Sequence, residues 1–430
     1  MSNKAKSPLV PKLRFPEFRG TEGWKAVPLS ELISALDAGV SVNSGDRPAT
    51  ENEIGILKTS AVTNGIFEPQ ENKVVFDEVE RGRVKEPVQA GTIIISRMNT
   101  PALVGANAYV EISLENIYLP DRLWAAKPKS GTSMRFVAAI LGSDKGRAAL
   151  SKLAKGSSGS MKNITKPDVF AYLIEAPSPA EQQKIAECLS SLDELIATQA
   201  RKVDALKTHK KGLMQQLFPR EGETQPRLRF PEFRDAGEWK PKALGEVVKV
   251  ASGQVDPTLP PHCDFPQIGS ENIESDSGKL VDLKSARDKG VISGNYAFDE
   301  NDVLYSKIRP ALNKAAAPTF EGICSADIYP IRPANDELQR SYLLYLLLSP
   351  RFLDYAIGKS ERGKIPKINR DDLLSFEALV PLLAEQKRIA DCLTSLDTVI
   401  TTATQELETL KTHKKGLMHQ LFPSAEAVEA

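Results

Sequence analysis

The sequence predicts an α+β protein with two similar halves, each made of a globular α/β head and one long helix. Three features lead to this prediction. A tandem repeat runs through the chain, two stretches carry a heptad pattern of apolar residues, and two others alternate short apolar runs with turn residues. The 430 residues are enough for about two to four domains.

The tandem repeat is carried by two kinds of near-identical segment. PKLRFPEFRG at 11–20 is matched by PRLRFPEFRD at 226–235, and a Trp-Lys pair follows each of these arms. The stretches 180–219 and 384–423 are also near-copies of each other. The arms lie 215 positions apart (226 − 11) and the long stretches 204 apart (384 − 180). Insertions and deletions therefore lie in the heads between them.

The stretches 180–219 and 384–423 predict two long helices of the coiled-coil type. Apolar residues recur at alternating spacings of three and four, interrupted by the polar residues Gln199, Lys210 and Lys414. Such a helix is roughly 60 Å long at ~1.5 Å per residue, too long to be buried in one small head. Two copies can bury each other's apolar seam. The predicted seam consists of Ile185, Leu189, Leu192, Ile196, Val203, Leu206, Leu213, Leu217, Ile389, Leu393, Leu396, Ile400, Leu407, Leu410, Leu417 and Leu421.

Each head is predicted to contain short strands followed by a helix. The strands of the first head are expected at Gly55–Leu57, Lys73–Phe76, Gly91–Ser96 and Leu123–Ala126. The spacing of apolar residues from Phe136 to Leu150 is helical, and the second head follows the same plan. The predicted boundaries are an arm at 1–23, a first head at 24–179, a first long helix at 180–219, a linker and repeated arm at 220–238, a second head at 239–383, a second long helix at 384–423 and a tail at 424–430.

Motifs of catalysis and of metal binding are absent from the sequence. There is no GxxxxGK[ST], GxGxxG after a strand, HExxH, GxSxG or [DN]PP[YF]. The four cysteines form no CxxC pair and the four histidines have no ligand spacing. No apolar run reaches the ~18 residues of a membrane span. We therefore expect a soluble, cytoplasmic chain that is non-catalytic and holds no metal or cofactor.

Basic residues cluster at matching places in the two heads, although the formal net charge of the chain is zero. Positions 135–166 carry a net charge of +6 (7 − 1) and positions 339–370 carry +5 (7 − 2). This recurrence favours a phosphate-binding surface over a helix and loop that are basic by chance. Gly/Ser-rich loops and polar strand ends suit close approach to DNA, although each polar residue could also serve only its own loop. The candidate DNA contacts are Lys58, Thr59, Ser60, Asn64, Arg97, Asn99, Ser157, Ser158, Lys162, Asn163, Lys166, Ser270, Asn272, Lys307, Arg309, Arg362, Lys364, Lys367, Asn369 and Arg370.

The repeated motifs resemble a known family. LRFPEF arms, helix starts of the form EQ-x-x-I-A-x-x-L-x-x-x-D and helix ends of the form L-K-x-x-K-K-G-L-M-x-x-L-F are similar to those of the specificity subunit of type I restriction-modification enzymes. They occupy Glu181–Asp193 and Leu206–Phe218, and again Glu385–Asp397 and Leu410–Phe422. The match covers nearly the whole chain.

The resemblance implies that each head is a target recognition domain that reads one half of an asymmetric, bipartite DNA sequence. The two helices would pack as an antiparallel coiled coil whose length sets the unread gap. Two methyltransferase subunits would bring S-adenosylmethionine and modify adenine. Two restriction subunits would bring ATP-driven translocation and cleavage, with Mg. This chain would carry no catalytic residues.

The ends of the long helices repeat even at surface positions, which coiled-coil packing does not require. We interpret this identity as a matched docking surface for two identical partner subunits, and recent duplication is the other explanation. The predicted docking residues are Lys207, Lys211, Gln216, Lys411, Lys415 and Gln420.

Two other functions compete with DNA recognition. A non-catalytic, pseudo-symmetric scaffold could use its heads to bind proteins or glycans, but gives no reason for the repeated basic windows. A single-chain restriction enzyme would need the catalytic motifs that the sequence lacks.

Overall fold

The computed structural model describes residues 9–155, 161–360 and 365–423. Its strands are β1 Lys25–Pro28, β2 Ile33–Ala38, β3 Gly55–Leu57, β4 Asn72–Val74, β5 Ile93–Ser96, β6 Met98–Asn99, β7 Asn107–Tyr109, β8 Ile117–Tyr118, β9 Leu123–Pro128, β10 Lys162–Asn163, β11 Leu173–Ala176, β12 Lys240–Ala243, β13 Val248–Val250, β14 Gln267–Ile268, β15 Asn295–Phe298, β16 Val303–Ser306, β17 Ala315–Ala316, β18 Gly322–Ser325, β19 Ile328–Pro333 and β20 Glu377–Val380. Its α-helices are α1 Glu78–Arg81, α2 Met134–Gly142, α3 Asp144–Lys152, α4 Lys166–Phe170, α5 Pro179–Leu217, α6 Leu244–Val247, α7 Ala286–Lys289, α8 Arg340–Leu347, α9 Pro350–Lys359, α10 Arg370–Leu374 and α11 Leu383–Leu421.

The chain divides into two compact units whose boundaries fall inside the long helices. The first unit contains Met1–Thr198 and Leu407–Ala430, and the second contains Gln199–Glu406. Each unit therefore holds one head, the first half of the helix that follows it and the last half of the other long helix. The predicted long helices correspond to α5 and α11, and the compact units combine segments from both sequence halves.

The first head is built on a four-stranded antiparallel sheet in the order β2-β9-β5-β7. A second sheet, β4-β3-β8, pairs β3 antiparallel with β4 and parallel with β8. Two strand pairs complete the head, β1 with β11 and β6 with β10. The predicted strand at Gly55–Leu57 is confirmed as β3, and the other three predicted strands overlap β4, β5 and β9 with shifted ends.

The second head repeats this plan with the sheets β13-β19-β16-β17 and β14-β18-β15 and the pair β12-β20. Within β14-β18-β15, β14 is parallel to β18 and β15 is antiparallel to it. The same mixed pairing occurs in the small sheet of the first head. The four-stranded sheets of the two heads therefore have equivalent strand orders, whereas the middle strand of the small sheet is the first of its three along the chain in the first head and the last in the second.

The helix predicted over 136–150 is two helices, because Ser143 interrupts it. The backbone N–H of Gly146 donates to the Ser143 hydroxyl at 3.0 Å, which caps the start of α3. The two helices meet so closely that a Cβ on Gly146 would lie 2.1 Å from the Ile140 carbonyl oxygen. A glycine is therefore required at this corner.

The ends of the long helices enter the cores of the heads. In the first unit, Phe422 packs against Trp24 and Phe136, with ring centroids 6.1 and 5.9 Å apart. In the second unit, Phe218 stacks on Tyr342 at 5.6 Å. Burial of these aromatic rings anchors the last turn of each long helix in a head.

The two long helices pack antiparallel within each unit. In the second unit, the Gln199 side chain donates to the Ala403 carbonyl at 2.9 Å, and the Lys210 ammonium lies 2.6 Å from the Asp397 carboxylate. As the residue number rises along α5, the number of the partner residue on α11 falls, so the two helices run in opposite directions. In the first unit, Asp193 and Lys414 form the repeat-equivalent pair at 2.5 Å. The polar residues that interrupt the predicted seam therefore make contacts between the helices.

Candidate nucleic-acid interface

In the first head, the residues that follow β5 meet the segment that comes after the Gly/Ser-rich loop. In the second head, the residues that follow β16 meet the segment that comes after the basic loop. In the first head, β6 pairs with β10, which places Asn99 opposite Lys162, and Ile164 N–H donates to the Arg97 carbonyl at 2.9 Å. In the second head, Ile368 N–H donates to the Lys307 carbonyl at 3.0 Å. The fold thus brings two of the predicted candidate segments together in each head.

The candidates of this segment pair in the first head are partly held by protein groups. Arg97 Nε donates to the Asp121 carbonyl at 2.5 Å, and its guanidinium carbon lies 5.9 Å from the Trp124 ring centroid. Asn99 Nδ2 donates to the Ser96 hydroxyl at 3.3 Å. Lys162 and Asn163 are half-buried, whereas Lys166, in the first turn of α4, is exposed.

A second group of first-head candidates lies in the turn after β3 and faces carboxylates. Glu71 accepts a hydrogen bond of 2.5 Å from the Ser60 hydroxyl and one of 3.4 Å from the Lys58 ammonium. These two contacts lower the pKa of Glu71, the hydroxyl having the larger effect. Asn64 Nδ2 donates to Glu68 at 3.0 Å, and the Thr59 carbonyl accepts from Thr63.

The second head contains one candidate that the structure corrects. The side chain of Asn272 is 2% exposed. Its Nδ2 donates to the carbonyls of Val281 and Asp282, and its Oδ1 accepts from Gly269 N–H and the Lys289 ammonium. All its donors and acceptors are used inside the head. Asn272 therefore holds a loop and is not placed to contact a base.

Ser270 connects this loop to the end of strand β16. Its hydroxyl accepts from the Ser306 hydroxyl at 3.0 Å, and its carbonyl accepts from the Lys314 ammonium at 2.7 Å. Lys314 was not among the sequence candidates, because a single lysine gives no signal in the sequence. The hydrogen bond between the Ser306 and Ser270 hydroxyls joins the Ser270 turn to the end of β16.

Two basic candidates of the second head, Lys307 and Arg370, lie against the ring of Tyr329. The Lys307 ammonium lies 5.3 Å and the Arg370 guanidinium carbon 5.8 Å from the centroid of this ring. Arg370 Nη2 also donates to the Ala251 carbonyl at 2.6 Å. Burial raises the pKa of Tyr329. Sequence reasoning missed Tyr329, because an aromatic residue in a strand is typical of the core.

Asn369 and Arg309 differ sharply in how the fold uses them. The Asn369 side chain caps α10, accepting from Asp372 N–H at 2.8 Å and donating to the Asp372 carboxylate at 2.7 Å. Arg309 is exposed and has a φ of +48°.

Lys367 pairs with Ile308 in an isolated β-bridge. The remaining candidates, Ser157, Ser158, Arg362 and Lys364, lie outside the described residues.

The net charge of the two sequence windows overstates the positive charge that the heads offer to DNA. In the first head, Arg135 pairs with Glu111, Lys145 lies 3.7 Å from Glu175, and Lys155 lies 2.8 Å from Asp168. Arg147 is half-buried and its Nη2 donates to the Ala102 carbonyl at 3.4 Å, and burial lowers its pKa.

In the second window, one arginine is bound to main-chain carbonyls and another faces a carboxylate. Arg340 donates to the carbonyls of Asp302 and Pro318, and Arg351 lies 3.4 Å from Glu377. A charge count along the sequence could not include these partners, because they come from other elements.

The predicted seam residues and the predicted docking residues differ in their exposure to solvent. Every seam residue is buried or half-buried, and all six docking residues are exposed. Lys415 lies 3.1 Å from Asp144, and Lys411 lies 2.8 Å from Glu408. The main-chain oxygens of Gln216 and Gln420 accept hydrogen bonds from Leu228 and Leu13 of the arms. The arms therefore border the predicted docking surfaces.

Two kinds of feature are absent from the described part of the chain. Its side chains contain no group of three or more His, Cys, Asp or Glu that could hold a metal ion. Across the same residues, no helix is both long and apolar enough to span a membrane.

A family model for the type I restriction modification DNA specificity domain matches the chain twice, over residues 21–208 and 236–412. The chain belongs to this family. The two matches coincide with the two halves of the tandem repeat, each with its head and most of its long helix.

The chain is also similar to proteins that are named as specificity subunits of type I restriction enzymes. It is 27% identical to the type I restriction enzyme EcoDI specificity subunit of Escherichia coli, over 85% of this chain and 79% of that protein. It is 24% identical to the putative type I restriction enzyme MjaX specificity subunit of Methanocaldococcus jannaschii, over 93% of each. Both similarities span the two halves of the repeat.

Solved structures of type I restriction-modification proteins have the same fold. The S subunit of a type I system from M. genitalium is similar over 97% of this chain and all of that one, with a TM-score of 0.60 and 15% identity. A chain from a study of complex assembly and conformational transition of the type I system is similar over 94% of this chain and 98% of that one, with a TM-score of 0.52 and 20% identity. The predicted fold class, with two heads and two long helices, is confirmed.

Proposed function

We propose that this specificity-family chain is the DNA-recognition subunit of a type I restriction-modification complex and reads a bipartite, asymmetric target. Each head contacts one half-site, and the helix pair sets the length of the unread gap between them. The observation that carries the proposal is the twofold match to the DNA specificity family, over 21–208 and 236–412. Relatives of similar organisation bear the names of restriction enzyme specificity subunits.

The proposed asymmetry of the target is supported by differences between the heads at equivalent places. Arg97 and Asn99 of the first head correspond to Lys307 and Arg309 of the second. These side chains have different hydrogen-bonding groups, and base edges in the major groove are distinguished by their donor and acceptor patterns. Two heads with one backbone plan and different side chains would therefore read two different sequences.

The proposed partners are two methyltransferase subunits and two restriction subunits. Identical exposed residues at the ends of α5 and α11 offer two copies of one surface, which suits two copies of one partner. The methyltransferase subunits would bind S-adenosylmethionine, and the restriction subunits would bind ATP and Mg. We propose no cofactor and no catalytic residue in this chain. A neutral chain is compatible with DNA binding when its partners share the phosphate contacts.

The test is the binding of the purified complex with its methyltransferase partner to duplex DNA over a range of salt concentrations. We expect log Kd to rise linearly with log[salt] and a preference for one bipartite sequence. Binding that depends neither on salt nor on sequence would refute the proposal. Binding of a protein or glycan in its place would support the alternative scaffold function.

A further inference from the structure

Arg309 is the described candidate of the second head that the fold leaves open to a ligand. Its side chain is exposed, and among the described residues no hydrogen bond, ion pair or ring contact engages it. Other basic side chains of the same head already make contacts within the protein. Lys307 and Arg370 contact the Tyr329 ring, and Lys314 donates to the Ser270 carbonyl.

The backbone of Arg309 is held in a left-handed conformation, with φ +48° and ψ +61°. A bulky residue rarely adopts this conformation unless the surrounding structure imposes it. Arg309 N–H donates to the Pro366 carbonyl at 2.7 Å, and Leu312 N–H donates to the Arg309 carbonyl at 2.9 Å. The backbone N–H and the backbone carbonyl of Arg309 are therefore both hydrogen-bonded.

The far end of the same turn is anchored as well. Asn313 has a φ of +46°, and its Nδ2 donates to the Asp276 carboxylate at 2.7 Å and to the Leu348 carbonyl at 3.1 Å. The side chain of Asn313 is 5% exposed. A turn held at both ends presents the Arg309 side chain from a rigid backbone, as specific recognition of a base requires.

The chemistry of arginine selects one base. The guanidinium has only N–H donors, and guanine offers two adjacent acceptors, O6 and N7, in the major groove. Adenine, cytosine and thymine each offer at most one acceptor beside a donor or a methyl group. A phosphate contact needs no fixed backbone, because flexible lysine and arginine side chains reach phosphates from many positions.

We propose that Arg309 is a base-reading residue of the second head and that it recognises a guanine in the half-site of that head. This inference rests on the proposed function and adds the residue and the base. It also implies that the first head, which has Asn99 and Thr100 where the second head has Arg309 alone before the Pro-Ala-Leu turn, reads its half-site with other groups.

The experiment uses Arg309→Gly in the complex with the methyltransferase subunits. Glycine adopts a positive φ without strain, so this variant removes the side chain and keeps the turn. Binding is selected from a DNA library in which both half-sites are randomised. For the wild type we expect one guanine position in the second half-site at which Arg309→Gly loses about 10- to 100-fold of discrimination. Preferences at the first half-site should not change.

Lys284→Gly is the matched control, since Lys284 is an exposed cation of the same head with no contact to the Arg309 turn among the described residues. It should keep the guanine preference. Arg309→Lys should keep part of the affinity and little of the discrimination, because an ammonium is a point charge.

Three outcomes distinguish a failure of the Arg309 inference from a failure of the proposed function. An unchanged preference at every position in Arg309→Gly would overturn the inference, and so would an equal loss of affinity on all sequences, which indicates a phosphate contact. A wild-type complex without any sequence preference would instead refute the proposed function. Retained first-half-site preference in the variant shows that it is folded.

Discussion

Arg14 and Glu181 form a buried, bidentate ion pair that joins the first arm to the first turn of α5. Arg14 Nε and Nη2 donate to the two carboxylate oxygens at 2.8 and 2.7 Å. Arg229 and Glu385 repeat this contact in the second unit, with both distances at 2.8 Å. Both glutamate side chains are 1% exposed. Two motifs that lie far apart in the sequence, LRFPEF and EQ, thus form one structural joint.

Arg14→Ala should destabilise the first unit by about 3–5 kcal/mol, because it leaves the buried Glu181 carboxylate without its partner. The guanidinium also donates to the carbonyls of Thr21 and Glu22, which would lose these bonds. Hydrogen exchange followed by mass spectrometry measures the effect, with amides of the second unit as the internal reference. Lys12→Ala removes an exposed charge of the same arm and should change little. Equal exchange rates in both variants would contradict this role.

The two interhelical Asp–Lys pairs should differ in strength although they are repeat-equivalent. In the second unit, the side chain of Lys210 is 6% exposed and that of Asp397 20%, and the Tyr345 hydroxyl also donates to Asp397 at 2.8 Å. In the first unit, Lys414 is 29% exposed and Asp193 55%. Coulombic attraction between exposed groups is weakened by solvent, and removal of a partner from a buried charge is costly.

Asp397→Ala should therefore lower the free energy of unfolding by several kcal/mol, about 3–5 for a buried pair that loses one partner. Asp193→Ala should lower it by about 0–1 kcal/mol. Urea unfolding of the two variants, each in the otherwise native chain, makes the comparison. Similar losses in both variants would show that burial does not decide the strength of these pairs.

The fold was largely predictable because its strongest signals are periodic or repeated. Seam residues such as Leu189 and Leu393 are spaced at heptad intervals, and this spacing is visible in the sequence without any tertiary information. The joint between Arg14 and Glu181 was not predictable. Its partners are 167 residues apart, and neither residue type indicates a buried pair by itself.

The candidate site was predictable only as a set of segments. That Arg97 and Lys162 lie on neighbouring segments follows from the pairing of β6 with β10, which are two-residue strands without a pattern of their own. The opposite roles of Asn272 and Arg309, one buried and one exposed, depend on loop geometry. Polar loop residues look alike in a sequence, so their selection needs the structure.

The contact of Ser60 with Glu71 gives a prediction for pH dependence. The Ser60 hydroxyl, and to a smaller extent the Lys58 ammonium, lower the pKa of Glu71 in the folded state. A lowered carboxyl pKa stabilises the folded state above the ordinary carboxyl pKa, and this contribution is lost as the pH falls through the lowered value. Ser60→Ala should raise the pKa of Glu71 toward its ordinary value.

Carboxyl carbon chemical shifts, recorded by NMR as a function of pH, measure the pKa of Glu71 in the wild type and in Ser60→Ala. Thr59→Ala is the control, because the Thr59 side chain makes no contact with Glu71 among the described residues. An unchanged titration in Ser60→Ala would mean that the hydroxyl does not hold this carboxylate, and Ser60 would then be more available to DNA.

The proposed spacer function predicts the effect of a longer helix pair. One heptad inserted after Arg201 and one after Gln405 occupy repeat-equivalent positions, since 405 − 201 is the repeat offset of 204. Both insertions leave the Asp193–Lys414 and Lys210–Asp397 pairs intact on either side. Seven residues preserve the phase of the apolar seam and lengthen each helix by about 10 Å at ~1.5 Å per residue.

The gap between the two half-sites should then increase by about three base pairs at ~3.4 Å each, while both half-site sequences stay the same. Long-read mapping of methylated adenines in cells that carry the complete system measures the gap directly. A heptad inserted into only one helix is the control, since it displaces half of the seam against its partner and should reduce methylation without defining a new gap. An unchanged gap in the double insertion would refute the spacer function and leave DNA recognition by the heads as a separate question.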